Sequence, residues 1–180
     1  MSRVLAVLLL TSAAAAPLAA QAAPAAAPPN ASVTAVRSMW EMMTDYVTRS
    51  AEMMPEDKYA YRPTPDVRSF GEVIGHVAGA QTMICAVALG ETPPAEDAVE
   101  KAAMTKAALV EALRASTAYC GKAFSQTDAD SRTPAKLFGQ DVTRFHALVL
   151  NAMHNGEHYG NLVTYLRING MVPPSSQGGM

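Results

Sequence analysis

The octapeptide His154-Asn155-Gly156-Glu157-His158-Tyr159-Gly160-Asn161 lies inside a continuous run from Thr143 to Asn169. On a helix, residues four apart stand about 40° apart around the axis, so His154 and His158 leave one face together. Neutral imidazoles at that spacing can close on one divalent ion, at about 2.0–2.1 Å each for zinc. Two histidines hold a metal weakly, and the remaining histidines are His76 and His146. His146 sits two turns before His154 and about 80° further round, which directs it elsewhere. His76 can join the pair if its helix packs against theirs. Around the pair, Phe145, Leu148, Val149, Ala152, Leu162, Tyr165 and Leu166 make an apolar stripe at helical period. Asp141 or Thr143 can cap its start, and Gly170 followed by Pro173 and Pro174 stops it.

Further upstream, two more helices follow from the same periodicity. Ser32 to Met54 places Val33, Val36, Met39, Trp40, Met43, Tyr46 and Val47 on one side, and Pro55 ends it. Its methionines suit core filling better than copper binding. Ser69-Phe70-Gly71-Glu72 is a capping box, and the helix it opens runs to Leu89 with Gly90 as the stop. Phe70, Val73, Val77, Ala80, Ile84 and Val87 form its buried stripe, with His76 beside it. Pro63 and Pro65 keep the preceding segment irregular, and Tyr59 and Tyr61 are expected to pack over the bundle end.

Thr105 caps a third helix, through Leu109, Leu113, Ser116 and Tyr119 to Phe124. The connection from Glu91 to Met104 is long for a helical hairpin. Extended, it could cross the bundle and leave the second and third helices parallel; Ala95 to Met104 could also be partly helical. The topology bears on Cys85 and Cys120, both near the C-terminal ends of their helices. Only parallel helices would bring them within the Cα separation of about 4.4–6.8 Å that a disulfide needs. The reading leans toward a bridge. Ser125 to Gln140, with Pro134 and Gly139, reads as a loop. The fold class is therefore all-α, a four-helix bundle.

The N-terminus has a different character. One basic residue, Arg3, precedes the apolar run Val4 to Leu10 and an alanine-rich stretch. That is the layout of a secretory signal peptide over residues 1–22, cut after Ala20 or Ala22. A retained anchor is disfavoured, because the apolar run is too short to span a bilayer. Residues 23–31 then form a flexible leader, 32–172 one domain and 173–180 a polar tail. Losing Arg3 moves the formal charge from −2 to about −3, which excludes nucleic acid as an expected partner. The expected location is secreted or periplasmic, with no stable membrane insertion after processing. No glycine-rich phosphate loop or Gly-x-Ser-x-Gly motif is present.

Tyr59-x-Tyr61-Arg62-Pro63-Thr64-Pro65 leading into Ser69-Phe70-Gly71-Glu72-x-x-x-His76, with His154-x-x-x-His158-x-Gly160-Asn161 far downstream, resembles the DinB/YfiT-like superfamily. The resemblance covers residues 32–172. It implies up-down-down-up helix order and one divalent ion held by His76, His154 and His158. Members of that superfamily often carry Arg-Gly-Gln after the last histidine, where this chain has Tyr159-Gly160-Asn161. Asn161 keeps an amide, but the charge that would favour a phosphate or carboxylate at that point is lost.

Three histidines would leave at least one coordination position open, the pattern of catalytic zinc. Zinc or nickel is the expected metal. Asn151, one turn before the pair, is a candidate to support the ligands; Glu157 points about 100° away from His158, and Glu72 is committed as a cap. No catalytic residue is assigned. Three functional classes remain open: a metal-dependent enzyme using hydrolytic or thiol-transfer chemistry on a small molecule, a bundle stapled by a metal, and a helical interaction protein. Export weighs against thiol transfer, which draws on cytosolic thiols. A homodimer is a further expectation.

Overall fold

The computed structural model describes residues 29–102 and 105–178. The signal peptide expected at residues 1–22, and all but the end of the leader, lie outside them. Four long helices form the bundle: α1 (Ala31–Met53), α2 (Phe70–Leu89), α4 (Lys106–Ala123) and α6 (Arg144–Ile168). Two short helices, α3 (Ala98–Ala102) and α5 (Asp128–Ser131), and one hairpin, β1 (Pro134–Leu137) with β2 (Gln140–Thr143), complete the regular elements among the described residues, apart from single 3-10 turns at Glu56–Lys58 and Pro174–Ser176.

The side-chain chemistry at the helix starts follows the sequence closely. Ser69 accepts from the Glu72 backbone N–H while the Glu72 carboxylate accepts from the Ser69 N–H at 2.6 Å, a complete capping box. Thr105 and Thr143 cap α4 and α6 through their hydroxyls. Gly90 closes α2 in the left-handed conformation, φ 78°. Helix α2 is the central element. It is long and apolar enough to meet the length and composition test for a membrane span, but 83% of that window is buried inside the bundle.

Neighbouring contacts fix the helix directions. Trp40 on α1 donates to Gln81 on α2, and Val47 and Ala51 meet Phe70 and Ile74 in the same core cluster, so α1 and α2 are antiparallel. Leu109, at the start of α4, lies against Gly71 and Gly75 at the start of α2, while Cys120 and Cys85 join the far ends. Thus α2 and α4 are parallel. Helix α6 runs antiparallel to α2, bringing Tyr165 to Phe70 and Asn151 to Cys85. The order is up-down-down-up. The Cys85–Cys120 disulfide is present with a Cα separation of 5.4 Å.

Three segments depart from the sequence reading or refine it. The stretch read as a loop from Ser125 to Gln140 holds α5 and β1, and β1 pairs antiparallel with β2. Its two-residue turn is Phe138-Gly139, with φ of 49° and 77°. Both residues thus carry the positive φ that a primed hairpin turn requires, at a place where asparagine or aspartate usually precedes glycine. The described part of the connection after α2 runs back along that helix, with Glu96 at Gly79 and Glu100 at Gly75, and includes a helical turn, α3. Beyond residue 172, Pro174 is buried and Tyr159 shares hydrogen bonds with the Ser175 hydroxyl and backbone N–H at 2.7 and 2.8 Å. Tyr59 and Tyr61 close the bundle end as expected: Tyr59 donates to the Ala51 carbonyl at 2.6 Å, and Tyr61 meets Tyr165 edge to face.

Candidate metal centre

Helices α2 and α6 bring His76, His154 and His158 together. The Nε2 of His154 lies 3.1 Å from the Nε2 of His76 and 3.1 Å from that of His158. One potential ligand atom from each of the three falls within 4.8 Å of the others. His146 is exposed in the first turn of α6, two turns before His154, and takes no part. The site therefore unites residues 78 positions apart in the sequence.

The donor set fits a divalent cation. A ring nitrogen carries one in-plane proton or one in-plane lone pair, so His154 Nε2 can satisfy only one of its two neighbours well. The remaining contact is left without a well-directed hydrogen bond. A cation among them removes that conflict. Tetrahedral bonds of about 2.0–2.1 Å imply nitrogen–nitrogen edges of about 3.3–3.4 Å, close to the spacing found.

Electrostatics keep the rings neutral. Burial pushes His154 down to about 3, with His158, His76 and Arg68 adding to the shift. Burial likewise lowers His76 to about 4, assisted by Arg68 and His158 and opposed by Glu100. His158 is also lowered, chiefly by burial, with Glu157 opposing. Neutral imidazole is the metal-binding form.

The outward nitrogens meet different surroundings. His158 Nδ1 lies 3.3 Å from the Asn161 amide, whose oxygen can face the ring once the amide is turned over. His76 Nδ1 faces two carboxylates, Glu100 at 3.7 Å and Glu96 at 3.8 Å. The buried Nδ1 of His154 has no hydrogen-bond partner among the described residues. Asn151 belongs elsewhere: its amide donates to Cys85 Sγ at 3.1 Å, one helical turn too far along α6 to serve the histidines. Glu157 is exposed, and Glu72 is occupied by its cap and by Arg62 at 2.9 Å.

An open cleft of about 740 Å³ borders the centre, with His158, Asn161 and Tyr165 on one wall and Arg62 to Arg68 on another. Arg68 donates to Glu100 at 2.9 Å, and its carbonyl accepts from the Tyr165 hydroxyl at 2.5 Å. Arg62 and Arg68 bring guanidinium groups to this cleft from the α1–α2 segment, each paired with a carboxylate, Glu72 and Glu100.

Sequence reasoning overlooked one packing device here. Gly71, Gly75 and Gly79 repeat every four residues on α2. A Cβ on Gly79 would come within 2.0 Å of the Glu96 carbonyl, and one on Gly75 within 2.9 Å of Glu100 Cα. These glycines let the α3 segment lie directly on α2 beside His76. The spacing itself was the available signal.

A family model described as the DinB superfamily matches residues 35–162. The chain belongs to the DinB superfamily. No curated protein matches it. Among solved structures, this DinB-superfamily chain is similar to a DinB-like protein from Bacillus cereus, with a TM-score of 0.69, 16% identity and coverage of 82% of this chain and 97% of that one. A DinB-like protein from Bacillus subtilis gives 0.65 at 22% identity, covering 81% and 99%. A mycothiol-dependent maleylpyruvate isomerase gives 0.63 at 16% identity, over 72% of this chain and 60% of that protein. At these identities the likeness concerns the fold.

Proposed function

We propose that this DinB-superfamily protein is an exported metal-dependent enzyme that holds one divalent ion, zinc or nickel, through His76, His154 and His158. The convergence of three neutral Nε2 atoms beside an open cleft carries the reading. A bound ion would supply Lewis acidity and an open coordination position, which suits polarising a carbonyl or acidifying a water or thiol. The chain's own residues contribute the rest. Arg62 and Arg68, paired with Glu72 and Glu100, give the cleft a charged wall with both signs present, Asn161 steadies His158, and α2 and α6 shield the centre from bulk water. Hydrolysis of a small molecule fits an exported protein best. Thiol transfer is the second reading, supported by the name of the mycothiol-dependent neighbour. The Cys85–Cys120 bridge favours an oxidising location, in keeping with a cleaved signal peptide.

Metal content of the purified mature protein and its variants tests the site. The parent is expected to bind one ion per chain, His76→Ala, His154→Ala and His158→Ala to lose stoichiometric binding, and His146→Ala to retain it. A parent without metal, or a His76→Ala variant that binds as tightly as the parent, would sink the proposal.

A further inference from the structure

Glu96 and Glu100 are in an unusual position for residues of a long connection. The glycine notch sets their backbone against α2, Glu100 at Gly75, the residue before His76, and Glu96 at Gly79, three residues after it. Glu100 is mostly buried, its side chain 18% exposed, and it is fixed on one oxygen by Arg68 Nε at 2.9 Å. Its other oxygen stands 3.7 Å from His76 Nδ1. Glu96 stands on the same side at 3.8 Å but is more open, at 39%. The opposite ring nitrogen, Nε2, is the one that faces His154.

We propose that Glu100, held by Arg68, is a positioning residue for His76: it stabilises the proton on Nδ1 and so leaves the Nε2 lone pair directed at the metal centre. The separation is slightly longer than a direct hydrogen bond, so the carboxylate acts through a small side-chain adjustment. A metal-bound imidazole becomes a stronger N–H donor, and a carboxylate behind it fixes the ring and raises its basicity. Among the described residues, His154, whose Nδ1 has no partner, and His158, whose partner is an amide, lack such a group. His76 is therefore the anchored ligand of the three. The inference rests on the metal-binding reading of the site, but its first readout does not need a metal.

The side-chain nitrogens of 15N-labelled protein report histidine tautomers directly. In the metal-free parent, His76 is expected as the Nδ1–H tautomer. In Glu100→Ala it should shift toward Nε2–H, and zinc should bind about 10–100-fold more weakly. Glu100→Gln, which keeps an acceptor oxygen without the charge, should fall between the two, and it serves as the reading variant if Glu100→Ala does not fold. Glu96→Ala should have the smaller effect. An unchanged His76 tautomer in the Glu100 variants overturns the proposal, even if zinc affinity falls, because that would be a packing effect. A changed tautomer with zinc affinity within twofold of the parent overturns it too. Failure of the parent to bind zinc would instead count against the metal site, while the tautomer of the metal-free protein still decides the role of Glu100.

Discussion

At the scale of single residues, the histidine cluster ties stability to pH. His76 and His154 have pKa values near 4 and 3 in the folded chain against about 6.5 unfolded. Below pH 6.5 the unfolded chain therefore takes up protons that the folded chain refuses. Their stabilising contribution is fully present above about pH 6.5 and is lost as pH falls toward 4 and then 3. Urea titrations of the metal-stripped protein between pH 7 and pH 4 should show falling stability, with a shallower fall in His154→Ala. An identical slope in the two proteins would refute the assignment. Asn161→Ala should weaken zinc binding without abolishing it, by up to about tenfold, since the amide supports a ligand but is not one. A zinc titration of that variant decides the point.

At the scale of elements, the caps were legible because their chemistry is local. Ser69-x-x-Glu72 needs only the first turn of α2, and Thr105 and Thr143 likewise act on the residues that follow them. Ser69→Ala should lower stability by about 1 kcal/mol, read from the urea midpoint. The hairpin was hidden because Phe138 takes a positive φ that its side chain does not advertise. Arg68 and Glu100 were hidden for another reason: both sit on irregular or short segments whose course depends on the packing of α2. The histidines were readable because helical spacing sets where they point. Gly79→Ala tests the unseen notch. Its methyl group would collide with the Glu96 carbonyl, so about 1–3 kcal/mol of stability should be lost, together with zinc affinity. Calorimetry and a zinc titration of the same sample would show both losses, or neither if α3 is only loosely seated.

At the scale of the whole molecule, the parallel arrangement of α2 and α4 explains how one disulfide can join their far ends. The bridge spans a sequence separation of 35 residues, and a loop of that size corresponds to about 3–4 kcal/mol of chain entropy. Replacing both Cys85 and Cys120 by alanine should therefore lower the stability by about 2–4 kcal/mol while leaving zinc stoichiometry intact. Urea denaturation with and without reductant, on the parent, gives the same comparison without mutation; equal midpoints would show that the bridge is not formed.

The up-down-down-up order also has a consequence in time. A chain that emerges with its N-terminus first exposes Cys85 and Cys120 before any of α6 has appeared. Under the proposed export, oxidation of the pair could precede the arrival of the last helix, whereas His76 must wait 78 residues for His154. Until then His76 presents a single imidazole, too weak a chelator to capture a stray cation. On the proposed reading the molecule would be locked first and loaded last, and the identity of its ion would be settled in the compartment where α6 finally closes on α2.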